Sequence, residues 1–246
     1  MRKASVRFHQ AEHLGIGREN QEDRHLCVPD RGLFVIVDGM GGHSDGEMAA
    51  QIAVNTIDRV CVGRPSRELL ARAFEVTNRE IVAYGDQQGY SDDKKPGCVA
   101  TACWINLDYP PGCVFIAHCG DTRAWRFQSD GNGFRLTTDH GLTDDLPERL
   151  ALESNQRHVV THHLGTRQDV ADWVEYNETF LPAGELLLLV TDGVSDYLNM
   201  AALANVVQRT WLLGVEGIVE EVAHQSLQLQ RAKGSGDNID VIGVFR

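Results

Sequence analysis

The sequence predicts an α+β layered sandwich in which helices cover a β core. Three observations carry that prediction. Helical spacing is confined to two blocks, one before residue 90 and one after residue 200. Between them the chain breaks into short apolar runs separated by Pro-Pro-Gly and Asp-Gly-Asn-Gly, which are turn sequences. Strict alternation of strand and helix is absent, so a doubly wound parallel sheet fits less well. With 246 residues, 42% of them hydrophobic, and no Pro/Gly/Ser linker, the chain is expected to form one domain over residues 1–246.

The elements follow in order. Strands are expected at Ala4–Gln10, His25–Val28 and Leu33–Val37. Residues Ser44–Cys61 have helical spacing, with Ser44 and Glu47 placed as a capping box. A second helix over Arg67–Gln87 lines up Leu70, Phe74, Ile81 and their neighbours on one face. Strands are expected next at Thr101–Asn106, Cys113–Cys119, Arg123–Gln128 and Phe134–Thr137. Residues 141–171 are polar and irregular. Strands return at Trp173–Phe180 and Leu186–Thr191, helices at Ala201–Leu213 and Glu216–Lys233, and a last strand at Ile239–Phe245.

Net charge is −12. A surface that acidic repels phosphate backbones and argues against nucleic acid as a partner. It is compatible with a phosphorylated substrate if cations reverse the sign locally. The six cysteines show no CxxC pair, and four lie in apolar stretches, so free thiols in a reducing, cytoplasmic compartment are expected. The N-terminus lacks the apolar core of a signal peptide, and the longest aliphatic run, Leu186–Val190, is too short to span a bilayer. The tryptophans are expected to pack in or near the core, and His162-His163 to form a solvated loop pair.

Acidic residues recur where apolar strands begin or end. Asp38-Gly39 closes FVIVDG, Asp192-Gly193 closes LLLLVTDG, and Asp237-Asn238 precedes IDVIGVF. A single Asp-Gly is an ordinary turn. Three such strand-end sites, with Asp23 in RENQED and Asp121 in HCGDTR, point to a rim of carboxylates for hard divalent cations, which take oxygen ligands. Without a cation such carboxylates would repel one another and bind protons. The ten histidines show no zinc-binding spacing.

The ordered series RENQED (18–23), VDGMGGHSDGEMAA (37–50), ATA (100–102), AHCGDTRAW (117–125), TTDHGLT (137–143), LLLVTDGVSD (187–196) and GSGDNIDVI (234–242) resembles the metal-dependent protein phosphatase family of the 2C type. The form DGMGGH is similar to its bacterial members. The resemblance implies a four-layer αββα sandwich, with a central β-sandwich flanked by helix pairs and two Mn²⁺ or Mg²⁺ ions in a cleft at one end. It implies Asp23, Asp38, the Gly39 carbonyl, Asp192 and Asp237 as metal ligands. Asp121 would serve a third ion together with Asp192, and Arg18 would bind phosphate. The implied reaction is hydrolysis of phosphoserine and phosphothreonine by metal-activated water, without a phosphoenzyme, opposing a protein kinase. A monomer is expected, and since the match ends on the last strand no anchoring tail is expected.

Three departures stand out. Met40 occupies the place where some members carry a histidine proposed as general acid, which leaves metal-bound water or the nearby His43. Thr122 replaces the usual serine. The flap-like segment 141–165 is short, with His162 where arginine is common, so substrate choice does not carry over. Two other functions are compatible with the same motifs: a catalytically impaired relative that binds phosphoproteins, and a small-molecule phosphomonoesterase.

Overall fold

The structure is a computed structural model that describes residues 5–40, 45–91, 94–108, 111–141 and 160–246. Three strands, β1 (Arg7–His13), β2 (Arg24–Val28) and β3 (Leu33–Met40), lead into helices α1 (Asp45–Val60) and α2 (Arg67–Gln88). Then come β4 (Gly97–Ile105), β5 (Cys113–Cys119), β6 (Arg123–Phe127), β7 (Gly133–Arg135), β8 (Glu175–Phe180) and β9 (Leu186–Val190). The chain closes with the single helical turn α3 (Asp192–Ser195), helices α4 (Met200–Thr210) and α5 (Gly214–Lys233), and strand β10 (Ile239–Phe245).

The strands form two five-stranded antiparallel sheets, ordered β1-β10-β9-β6-β7 and β2-β3-β4-β5-β8. Strand side chains alternate between faces, and here both faces are covered. Leu33, Val35 and Val37 of β3 pack with Ile57, Leu70 and Phe74 of α1 and α2. Phe34 and Ile36 of the same strand meet Leu187, Leu189, Ile242 and Val244 of the other sheet. Leu186, Leu188 and Val190 turn the opposite way, onto Val206, Val219 and Val222 of α4 and α5. Three apolar layers therefore separate four layers of structure, the expected αββα sandwich. Burial on both faces also explains why LLLLV carries no polar alternation.

The differences from the sequence-based elements have physical causes. Strand β4 starts at Gly97, four residues before the expected Thr101. Gly, Cys and Ala have no strand preference of their own, and pairing with β3 from Gly97↔Met40 onward imposes the extended state. Strand β1 lies at Arg7–His13 rather than Ala4–Gln10, because its register is set by β10. Helix α4 ends at Thr210 in a 3-10 turn, Trp211–Leu213, with Gly214 at φ 76°. Leu212 is 97% exposed there, so an apolar letter was not a core position. Helix α2 is capped by Ser66, whose Oγ accepts from Leu69 N (3.2 Å). The expected capping residue of α1, Ser44, lies outside the described residues, as do His43 and positions 142–159 of the flap-like segment.

The histidine pair is corrected as well. His162 is not a solvated loop residue: its ring lies between His140 (centroids 4.9 Å) and Trp173 (5.0 Å), with Nδ1 buried. Trp173, expected to open a strand, lies just before β8, which starts at Glu175, and gives His162 an aromatic wall that sequence spacing does not reveal.

Candidate metal and phosphate site

Both sheets deliver carboxylates to one end of the sandwich. Asp38 is still inside the β3 ladder, opposite Val99. Asp192 is the second residue after β9 and opens α3, Asp237 precedes β10, and Asp121 follows β5. Together with Arg18, Glu22, Gly39 and Met40 they line a cleft of ≈ 420 Å³. A larger groove of ≈ 580 Å³ runs between α2 and residues 166–171, but it holds none of the expected site residues.

Close backbone packing fixes the cleft wall. A Cβ on Gly39 would lie 2.2 Å from Gly46 O and 2.8 Å from Glu22 O, so only glycine lets β3, α1 and the 18–23 loop meet there. That contact brings Glu22 to the wall, where a Cβ on Gly46 would stand 3.0 Å from Glu22 Oε2. Glu22 was not singled out in the sequence, although it is the acid adjacent to Asp23 in RENQED. Asp23 itself lies one layer behind. It is 2% exposed and accepts a hydrogen bond from Thr191 Oγ1 (2.8 Å). The Thr191 hydroxyl in turn accepts from Asp240 N (3.1 Å), tying the RENQED loop to β9 and β10.

Asn238 performs a similar fastening. Its side chain accepts from Glu22 N (2.8 Å) and donates to Leu14 O (2.7 Å) and Asn20 O (3.0 Å). Arg18 pairs with Asp237 and donates from Nε to Gly236 O (3.3 Å), which holds its guanidinium at the mouth of the cleft. Met40 lines the cleft and offers no transferable proton.

The electrostatics have one sign. Burial pushes the carboxyls of Asp23, Asp38 and Asp192 well above the usual range, and their mutual repulsion adds to it. Glu22 and Asp237 are also raised, chiefly by burial and against the lowering effect of Arg18. Asp121 is raised to about 6, by burial first and then by Asp139 and Asp196. Asp192 Oδ1 is buried without a hydrogen-bond partner. Crowded carboxylates and an orphaned carboxylate oxygen form an oxygen donor set, which fits Mg²⁺ or Mn²⁺.

Two tighter groups of ligand-type side chains lie off the cleft: His118, His140 and Glu175, and Glu12, His25 and Asp240. Hydrogen bonds account for most of their polar atoms. Both His118 nitrogens are engaged, by Thr101 Oγ1 (2.8 Å) and Thr138 O (2.9 Å), while His25 Nδ1 pairs with Asp240 Oδ2 (2.8 Å). The six cysteines are free. Burial pushes Cys27, Cys61 and Cys119 up to about 12, so they are poor nucleophiles near neutral pH.

A β-sandwich between helix pairs, with an acidic oxygen-donor cleft and an arginine at its mouth, defines a class of metal-dependent phosphoester hydrolases. The family model "Protein phosphatase 2C" matches residues 9–228, and the chain belongs to that family. It is 28% identical over 261 aligned residues to a "Protein kinase and PP2C-like domain-containing protein" of Arabidopsis thaliana, covering 93% of this chain and 37% of that protein. The chain thus spans little more than a third of that relative.

Solved structures share the fold. "PppA, a key regulatory component of T6SS in Pseudomonas aeruginosa" superposes with a TM-score of 0.83 at 22% identity, covering 99% of this chain and 98% of that one. The catalytic domain of the serine threonine protein phosphatase PstP in complex with 2 manganese ions gives a TM-score of 0.81 at 21% identity, with 98% of each chain covered.

Proposed function

We propose that this chain dephosphorylates phosphoserine and phosphothreonine in proteins, as a Mn²⁺- or Mg²⁺-dependent phosphatase that opposes a protein kinase. The observation that carries the reading is the buried, unpartnered Asp192 oxygen in a wall of carboxylates facing Arg18. The two manganese ions of the PstP structure agree with it.

Asp38, the Gly39 carbonyl, Asp192 and Asp237 would hold the core pair, with Glu22 beside them. Asp23, expected among the ligands, supports the pair from behind through Thr191, and Asp121 with Asp192 would take a third ion. Bound divalent ions neutralise the acids, polarise phosphoryl oxygens and activate water for in-line attack. Arg18 releases Asp237 and offers its planar fork to two phosphate oxygens, which a lysine could not match. Met40 supplies no transferable proton, so water at the metal site would protonate the leaving alkoxide, with His43 as the alternative donor. No described helix is long and apolar enough to cross a membrane. Free thiols support a cytoplasmic location and residues 1–246 serve as one catalytic unit acting as a monomer.

The test is turnover of phosphopeptides and of an aryl phosphate, with chelator and after adding back Mn²⁺. Activity on both, lost with chelator and restored by Mn²⁺, is expected. Full activity in a metal-stripped sample would sink the mechanism. Turnover of the aryl phosphate alone would favour a small-molecule phosphomonoesterase, and metal binding without any turnover would favour an impaired phosphoprotein-binding relative.

A further inference from the structure

Gln230 lies near the C-terminal end of α5, outside every motif of the sequence, and is fully buried. Its side-chain amide nitrogen donates to Gly193 O (3.0 Å) and to Asp237 O (3.0 Å), and its oxygen accepts from Ile16 N (3.1 Å). Two carbonyls on one side and an N–H on the other fix which end of the amide is nitrogen. Both amide hydrogens are used. One side chain thereby joins the residue after Asp192, the backbone of Asp237 and the segment two residues before Arg18.

The surrounding backbone closes on this amide. A Cβ on Gly236 would fall 1.9 Å from Gln230 Oε1, and one on Gly15, at φ +79°, would fall 1.9 Å from Asp237 O. A Cβ on Gly193 would sit 1.8 Å from Asn238 O. The three loops touch through glycines at this junction; Thr191 and Asn238 tie them elsewhere, and here a single side chain from outside meets all three. The helix supplies it. Gly234, in the left-handed conformation at φ 78°, caps α5 by donating to Gln230 O (2.9 Å) and Arg231 O (3.2 Å), which anchors the amide to a rigid element.

We propose that Gln230 is a positioning residue that sets the separation of the Asp192, Asp237 and Arg18 loops, and with it the affinity for divalent metal and for phosphate. The proposal rests on the metal-dependent reading of the cleft. Residues that orient metal ligands from behind typically change affinity by about 10–100-fold when removed. Gln230→Met keeps the volume and removes every hydrogen bond of the amide. Gln230→Glu keeps the size and the acceptor but turns oxygens toward two carbonyls.

The experiment is calorimetric titration of the full chain with Mn²⁺, alongside inhibition by inorganic phosphate and thermal unfolding in chelator. The expected result is Mn²⁺ binding weakened by about tenfold or more in both variants, with phosphate inhibition weakened in parallel. kcat should recover at saturating Mn²⁺, and the folded state should persist in chelator. Folded variants with wild-type Mn²⁺ affinity would overturn the proposal and leave the metal reading intact. A wild-type chain that binds no Mn²⁺ would overturn both. Failure of both variants to fold would make Gln230 a determinant of folding and likewise overturn its positioning role.

Discussion

At the scale of single residues, the site is a concentration of charge that the fold tolerates only at a cost. Arg18 is the cation at its mouth, and replacing it with alanine should lower kcat/KM by about 10²–10³-fold, as losing one preorganised donor to a charged transition state does. Lysine should rescue only part of that, because a point charge loses the bidentate fork. Mn²⁺ binding measured by calorimetry should survive both changes; its loss would make Arg18 part of the metal-binding framework instead. The carboxylates give a second prediction, through pH. Asp38, Asp192 and Asp121 have folded-state pKa values above their unfolded ones, Asp121 reaching about 6. In that window the folded chain binds more protons than the unfolded chain, so their contribution makes stability fall as pH rises from about 4 through 6. In chelator, Tm should therefore drop across that range, and Mn²⁺ should flatten the profile. Asp192→Asn should abolish turnover yet raise the Tm of the metal-free protein at pH 7. A lower Tm in that variant would mean that the buried carboxylate is already compensated by a partner.

At the scale of elements, the excursion after residue 141 is held to the body by specific ties. Leu164 pairs with Cys98 at the start of β4, and Val160 pairs with Gly141. Asn78, on α2, accepts from Gly165 N (2.7 Å) and Thr166 N (3.0 Å) and donates to Thr166 O (2.9 Å). Asn78→Ala leaves three backbone groups without partners and should cost about 1–3 kcal/mol. Denaturant unfolding reads that cost, and hydrogen exchange at residues 165 and 166 should accelerate locally. Unchanged exchange there would show that the β-bridge at Leu164 alone secures the segment. These ties were not legible in the sequence. Asn78 sits mid-helix, eighty-eight positions before Thr166, and nothing in its neighbourhood marks it as a clamp. The strand β4 is a parallel case: its Gly-Cys-Val-Ala start is extended only because β3 offers a ladder from Gly97 onward.

At the scale of the whole molecule, stability depends on the layer between the sheets, where Leu189 meets Phe34, Ile36 and Ile242. Leu189→Ala should cost about 2–5 kcal/mol, the range for a large buried side chain reduced to a cavity. Unfolding should stay one cooperative transition by circular dichroism, since both helical layers pack on sheets that share this core. Separate transitions for the two halves would contradict that coupling. The sequence by itself determined the layered class, most strand and helix cores, and the aspartates at strand ends, because those signals are local: periodicity, turn residues, and acids beside apolar runs. Tertiary structure alone decided that Glu22 faces the cleft while Asp23 stands behind it on Thr191, that His162 is walled by His140 and Trp173, and that Gln230 fastens three loops. Each of those depends on contacts between segments far apart in the chain, where backbone proximity at Gly15, Gly39, Gly193 and Gly236 chooses the neighbours, and no period or spacing within one segment encodes which distant backbone it will meet.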